Sequence, residues 1–182
     1  MAVAGGLTLC AMACNPTPLR SKFDADTLYY GTCDTDLVPW EPSFATIDRF
    51  EDQVTIRLQS RAGSVRDIDG IFIQVDSDFV SANLNKDLLL GLPDDNGQLP
   101  VRTLLGFYES CPNATVVPEL VGSIRFSFFE PINDGQITGT ITAPAVIDIR
   151  TGDVIGANFT GRFSFRVQKG RPYTNFTGPG QE

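Results

Sequence analysis

Hydrophobic and polar residues alternate with a period of two along most of this chain. The clearest example is residues 158–169, in which polar side chains alternate with Phe159, Gly161, Phe163, Phe165 and Val167. Such alternation is typical of a β-strand with one buried face. Residues 123–128 and 136–149 show the same pattern. Their predicted inward residues are Ile124, Phe126, Phe128, Ile137, Gly139, Ile141, Ala145, Ile147 and Ile149.

Turn residues separate these three segments. Residues 131–135 and 151–153 both contain Gly and Asp, which favour tight turns. Because antiparallel strands are joined by such short connections, the three segments are predicted to form a meander.

The first half of the chain predicts further strands. Polar positions alternate with Val54, Ile56 and Leu58, whose neighbours Thr55, Arg57 and Gln59 are expected on the polar face. A β-branched run covers residues 71–75, and a strand over 101–110 leads into Cys111. Only residues 81–91 could form a helical turn or two. The predicted fold is all-β: an antiparallel β-sandwich or partly closed barrel of about seven to eight strands, with at most one short helix.

The first fourteen residues are uncharged and mostly apolar. They end in Ala11-Met12-Ala13-Cys14 and are followed by two prolines within residues 15–18. This order resembles the processing signal of bacterial lipoproteins, in which a short apolar segment precedes a cysteine that becomes lipid-modified. The resemblance implies a signal-like segment at 1–13, lipidation of Cys14, a tether over 14–22 and a single β domain over 23–182.

The same resemblance implies a location at the bacterial cell envelope, with the membrane as a partner through the lipid anchor. Asn15 stands where an Asp tends to retain such proteins at the inner membrane, which favours anchoring to the outer membrane, on its periplasmic or surface face. A secreted protein is the alternative, because Asn113, Asn158 and Asn175 each begin an N-glycosylation triplet.

If Cys10 is removed with the signal and Cys14 is lipidated, Cys33 and Cys111 are left. An even number of cysteines in an oxidising compartment favours a disulfide, so we predict a Cys33–Cys111 bond. The alternative is a pair of buried thiols in a reducing cytosol.

Charge and composition exclude some functions. The net charge of −8 argues against nucleic acid as a partner, since phosphates require a basic stripe. The absence of histidine removes the usual activation of Ser and Cys nucleophiles. We therefore predict a protein that is not an enzyme, the alternative being hydrolysis by carboxylates alone.

One group of three residues and one single tryptophan are candidates for ligand binding. No cofactor is predicted. If a metal binds, calcium fits best, with Asp94, Asp95 and Asn96 as its candidate ligands, although the sequence favours an ordinary turn at these acidic residues. Trp40 is the candidate for stacking on a sugar or, alternatively, for closing one end of the core.

Together these features predict a lipoprotein of the cell envelope whose β domain is a binding or structural module. One alternative is a carbohydrate-binding module or carboxylate-dependent glycan hydrolase. The other is an envelope-assembly or adhesion subunit with a protein partner in the envelope.

Overall fold

The computed structural model describes residues 19–31, 33, 37–64, 66–93, 97 and 99–167. In this part of the chain there are ten strands and one helix. The strands are β1 (Arg20–Asp24), β2 (Thr27–Leu28), β3 (Phe44–Phe50), β4 (Gln53–Gln59), β5 (Asp69–Asp76), β6 (Leu88–Leu90), β7 (Val101–Phe107), β8 (Pro118–Phe129), β9 (Gln136–Asp148) and β10 (Val154–Arg166). Helix α1 (Ser77–Ala82) follows β5.

The strands form one curled antiparallel sheet, a half-barrel with the order β1-β10-β9-β8-β7-β5-β4-β3. Strand β2 pairs with β10, and β6 pairs with β8. The all-β prediction is confirmed, and its partly closed barrel is the form observed. The meander is also confirmed as β8, β9 and β10, and Gly152 takes a φ of 79° in the predicted turn, where glycine is favoured.

The predicted inward face of β9 is wrong beyond residue 143. Val146 and Asp148 are buried there, whereas Ile149 is 42% exposed. The cause is a register shift between β8 and β9. One residue of β8 lies between Val121 and Ser123, whereas two residues of β9 lie between their partners Ala145 and Thr142. An extra residue in one strand turns the following side chains to the opposite face.

A second register shift corrects the prediction for β8. The shift lies between Phe126 and Phe128, so the alternation changes phase at Ser127. As a result Phe129 is buried, and Phe128, which was expected to face inward, is 52% exposed.

The predicted helix also lies elsewhere. Helix α1 covers Ser77–Ala82 because the Asp76 side chain accepts a hydrogen bond from the Phe79 N–H at 2.8 Å and caps the helix. Residues 88–90, expected in a helical turn, form β6. A short apolar run does not distinguish a strand from a buried helical segment.

The outer face of β4 is more closed than the alternation predicts. Gln59 is 0% exposed and lies in a cross-strand row with Phe44, Gly70 and Gly106. A Cβ at Gly70 would lie 2.8 Å from the Phe72 ring, and one at Gly106 would lie 2.6 Å from the ring of Tyr108. The rings of Phe72 and Tyr108 therefore lie over the two glycines beside Gln59. Because this part of the outer face is covered, Gln59, which was predicted to lie on the polar surface, is buried.

Residues 40–43 link the edge strand β1 to β4 near the opposite end of the curled sheet. Phe23 and Trp40 exchange two backbone hydrogen bonds of 2.9 and 2.8 Å, and the Ser43 N–H donates to the Gln59 carbonyl at 3.0 Å. The Trp40 ring packs 5.7 Å from the Phe23 ring and 6.1 Å from that of Phe107. Trp40 thus joins β1 to the core beside β7.

The predicted disulfide is present. Cys33 and Cys111 are bonded, with their Cα atoms 5.9 Å apart, and the bond ties the segment after β2 to the turn after β7. At the N-terminal side, β1 begins at Arg20, so residues 20–22 of the expected tether are paired with β10. Throughout the described ranges, no helix is long and apolar enough to cross a membrane.

Candidate functional site

The structure places the sequence-predicted residues in separate regions. Cys14, Asp94, Asp95 and Asn96 lie outside the described residues. Within the described ranges, no group of three or more Cys, Asp or Glu side chains is placed to hold a metal ion. Trp40 packs against core rings rather than on the outer face of the sheet.

Three buried carboxylates have structural partners. Asp69 accepts two backbone N–H groups at 2.9 and 3.0 Å and also bonds Ser110, which fixes the turn after β7. Glu119 pairs with Arg102 at 3.1 Å. Asp148 accepts two backbone N–H groups, both at 3.1 Å, next to the β9–β10 turn. Each of these acids is therefore held by contacts that position strands and turns.

The outer face of β1, β10 and β9 carries cations and hydroxyl groups side by side. Lys22 lies opposite Arg162 on β10, and Arg162 lies opposite Thr140 on β9. In the next row Arg20 lies opposite Ser164, which lies opposite Thr138. Alternate residues of a strand share a face, so these six side chains stand on the side away from the buried phenylalanines of β10.

Two adjacent, open depressions on this face share Lys22 and Arg162, and we treat them as two lobes of one shallow cleft. The larger lobe has a volume of about 610 Å³ and is lined by all six of those residues and by Glu41. The smaller lobe, of about 280 Å³, is lined by Asp24 and Thr160. Lys22 and Arg162 line both lobes. We call the two lobes together the cation–hydroxyl cleft.

The larger lobe of the cleft has an excess of positive charge. Lys22 and Arg162 are directly opposite each other, an arrangement that is unfavourable between like charges. The ion pairs among the described residues use other cations, so no described carboxylate lies within ion-pair distance of Arg20, Lys22 or Arg162. Three cations share the larger lobe with one acid, Glu41.

Arg125 provides a contrast on the same face of the sheet. It extends the row of Lys22, Arg162 and Thr140 onto β8, but Asp87 holds it through two hydrogen bonds of 2.8 and 2.7 Å. The hydrogen bond from Arg125 lowers the pKa of Asp87 below its usual range. Arg125 is therefore paired within the protein, whereas no described carboxylate lies within ion-pair distance of the three cations of the cleft.

The hydroxyl groups of the larger lobe form a short network. The hydroxyl oxygens of Thr138 and Ser164 are 2.9 Å apart, and the Gln136 amide nitrogen donates to Thr138 at 3.0 Å. Hydroxyl groups both donate and accept hydrogen bonds, whereas ammonium and guanidinium groups only donate. This combination suits a ligand that has anionic groups and hydroxyl groups.

No linear motif indicates this site, because its cations are distant in sequence. The alternation places Arg162 and Ser164 on the polar face of their strand, but Arg20 and Lys22 belong to the predicted tether. Only the pairing of β1 with β10 brings the two sets together. Comparison of the chain with protein-family models, curated proteins and solved structures finds no match to any of the three.

Proposed function

We propose that this protein is a binding module of the bacterial cell envelope that holds an acidic glycan in the cation–hydroxyl cleft. The observation that carries the proposal is the apposition of Lys22 and Arg162, beside Arg20, with no carboxylate pairing them in the described part of the chain. An anion bound between these side chains relieves their mutual repulsion. The hydroxyl groups of Thr138, Thr140 and Ser164 supply the hydrogen bonds that a sugar requires.

The lipoprotein-like start of the chain supports the location in the envelope. Lipid at Cys14 would lie six residues before Arg20, a span of at most roughly 20 Å in an extended chain. The cleft would then remain close to the membrane surface, where envelope glycans are accessible. The Cys33–Cys111 bond is typical of an exported protein. The intact mass of the natural protein tests this location, since it should show acyl groups on Cys14; an unmodified chain beginning at Met1 would contradict it.

Calorimetric titration with two acidic oligosaccharides tests the binding function. The probes are a hyaluronan hexasaccharide and a galacturonate trisaccharide, which carry the same number of carboxylates. The wild-type chain should bind at least one of them, and the affinity should fall as salt is raised. Lys22→Gln and Arg162→Gln should each weaken binding roughly tenfold or more, because each removes a hydrogen bond to a charged group.

Arg125→Gln is the matched control. It removes one positive charge from the same face and the same cross-strand row, but this charge is already neutralised by Asp87. Its affinity should stay within about twofold of the wild type. Absence of binding to both probes at low salt would contradict the proposal. An equal loss in Arg125→Gln and Arg162→Gln would do so as well, since it would show only a general effect of charge.

A further inference from the structure

The two lobes of the cation–hydroxyl cleft differ in their charge. The larger lobe holds Arg20 in addition to the shared Lys22 and Arg162, with Glu41 as its acid. The smaller lobe adds no further cation; it adds the carboxylate of Asp24 and the hydroxyl of Thr160. The positive charge is therefore concentrated at the Arg20 end, and a negative group lies at the other end.

Asp24 is placed to contact a ligand. It is exposed, lies opposite Thr160 on β10, and stands two residues after Lys22 on the same face, a separation of about 7 Å along the strand. Its Oδ1 accepts the Ala25 N–H at 3.0 Å. No described residue donates a hydrogen bond to its Oδ2, so this oxygen can accept one from a ligand.

A carboxylate in this position selects between two kinds of sugar. It accepts hydrogen bonds from the hydroxyl groups of a neutral sugar, and it repels a second anionic sugar. The Asp24 carboxylate lines the smaller lobe itself, so an anionic sugar placed in that lobe would lie within the Debye length of about 8–10 Å at moderate salt and would be repelled.

We infer that the ligand of this cleft is a glycan in which an acidic sugar adjoins a neutral one. The acidic group occupies the larger lobe among Arg20, Lys22 and Arg162. The neutral sugar occupies the smaller lobe and donates a hydroxyl to Asp24. The inference rests on the proposed function and deepens it, because it favours a polymer that alternates acidic and neutral sugars over a polymer of contiguous acidic sugars.

The two oligosaccharide probes test this selectivity, since their charges are equal and only the hyaluronan fragment alternates. The wild-type chain should bind the hyaluronan hexasaccharide roughly tenfold more tightly than the galacturonate trisaccharide. Asp24→Asn, which keeps an acceptor for the Ala25 N–H, should reduce this preference to about threefold or less by strengthening the binding of galacturonate.

Asp26→Asn is the control for a general change of charge. Asp26 lies outside the cleft, and its Oδ2 accepts a hydrogen bond from the Asn158 amide at 2.7 Å. This variant should keep the wild-type preference, and an equal change in Asp24→Asn and Asp26→Asn would overturn the inference. Equal binding of the two probes by the wild type would overturn the inference and leave the proposed function intact. Absence of binding to both would overturn the proposed function and the inference with it.

Discussion

Removal of the Cys33–Cys111 bond should cost this protein a large part of its stability. The bond joins residues separated by 78 positions. In the chain-entropy model, a loop of that length lowers the entropy of the unfolded chain by about 15 cal/mol/K, which corresponds to about 4–5 kcal/mol at 25 °C. Typical domains are stable by only about 5–15 kcal/mol. The variant Cys33→Ala/Cys111→Ala should therefore be close to the limit of folding.

Denaturant unfolding followed by tryptophan fluorescence measures this loss. Trp40 is the single tryptophan of the chain and packs between the rings of Phe23 and Phe107, so its emission reports the closed core. The oxidised wild type, the reduced wild type and the double variant should be compared. The last two should agree with each other. Their m-values should exceed that of the oxidised protein, because a chain without the cross-link unfolds to a more exposed state.

A loss of less than about 1 kcal/mol on reduction would refute this reasoning, since it would show that the bond does not restrict the unfolded chain as its loop length requires. A double variant much less stable than the reduced wild type would contradict the expected agreement between the two. That result would assign the additional loss to packing around Cys111, which is fully buried, rather than to the cross-link.

Two further predictions concern buried polar groups. Gln59→Met should raise the free energy of unfolding by roughly 1–3 kcal/mol, because neither side-chain amide atom of Gln59 has a described hydrogen-bond partner. Thr103→Val removes one buried hydroxyl oxygen without a described partner, so it should raise the free energy of unfolding less. Denaturant unfolding measures both variants, and a lower free energy of unfolding in either would contradict the reasoning. Burial raises the pKa of Tyr30 to about 12. As pH rises above 10, the unfolded chain therefore loses the Tyr30 hydroxyl proton before the folded chain does. The free energy of unfolding should fall by this contribution between about pH 10 and 12. Tyr30→Phe should lack this loss of up to about 3 kcal/mol, and parallel pH profiles of the two proteins between about pH 9 and 12 would contradict the assignment.

The strands could be predicted because burial of one face leaves a local pattern. Phe159, Phe163 and Phe165 follow a period of two and are all buried. The exposure of Phe128 could not be predicted, because the register shift at Ser127 depends on how β8 pairs with β9. Burial of Gln59 likewise requires the glycine positions of two other strands, which no pattern within β4 contains.

The candidate site depends even more on tertiary structure. Periodicity alone places Arg162 on a polar face, but it gives no indication of which strand lies beside β10. That partner is β1, a short strand of five residues next to a proline-containing segment that reads as a tether. The charge pattern of the cleft exists only after these two strands pair, so linear motifs did not reveal it.

The pairing of β1 with β10 also constrains the order in which the protein can be assembled. Asp26 and Asn158, which bond across this seam, are 132 residues apart in the sequence. During synthesis, β1 keeps an unpaired edge until almost the whole domain has followed it. Such late, distant contacts slow folding and expose the chain to aggregation. A chain that is cut short before β10 lacks the strand that carries Arg162, so the proposed binding surface forms only after β10 has paired with β1.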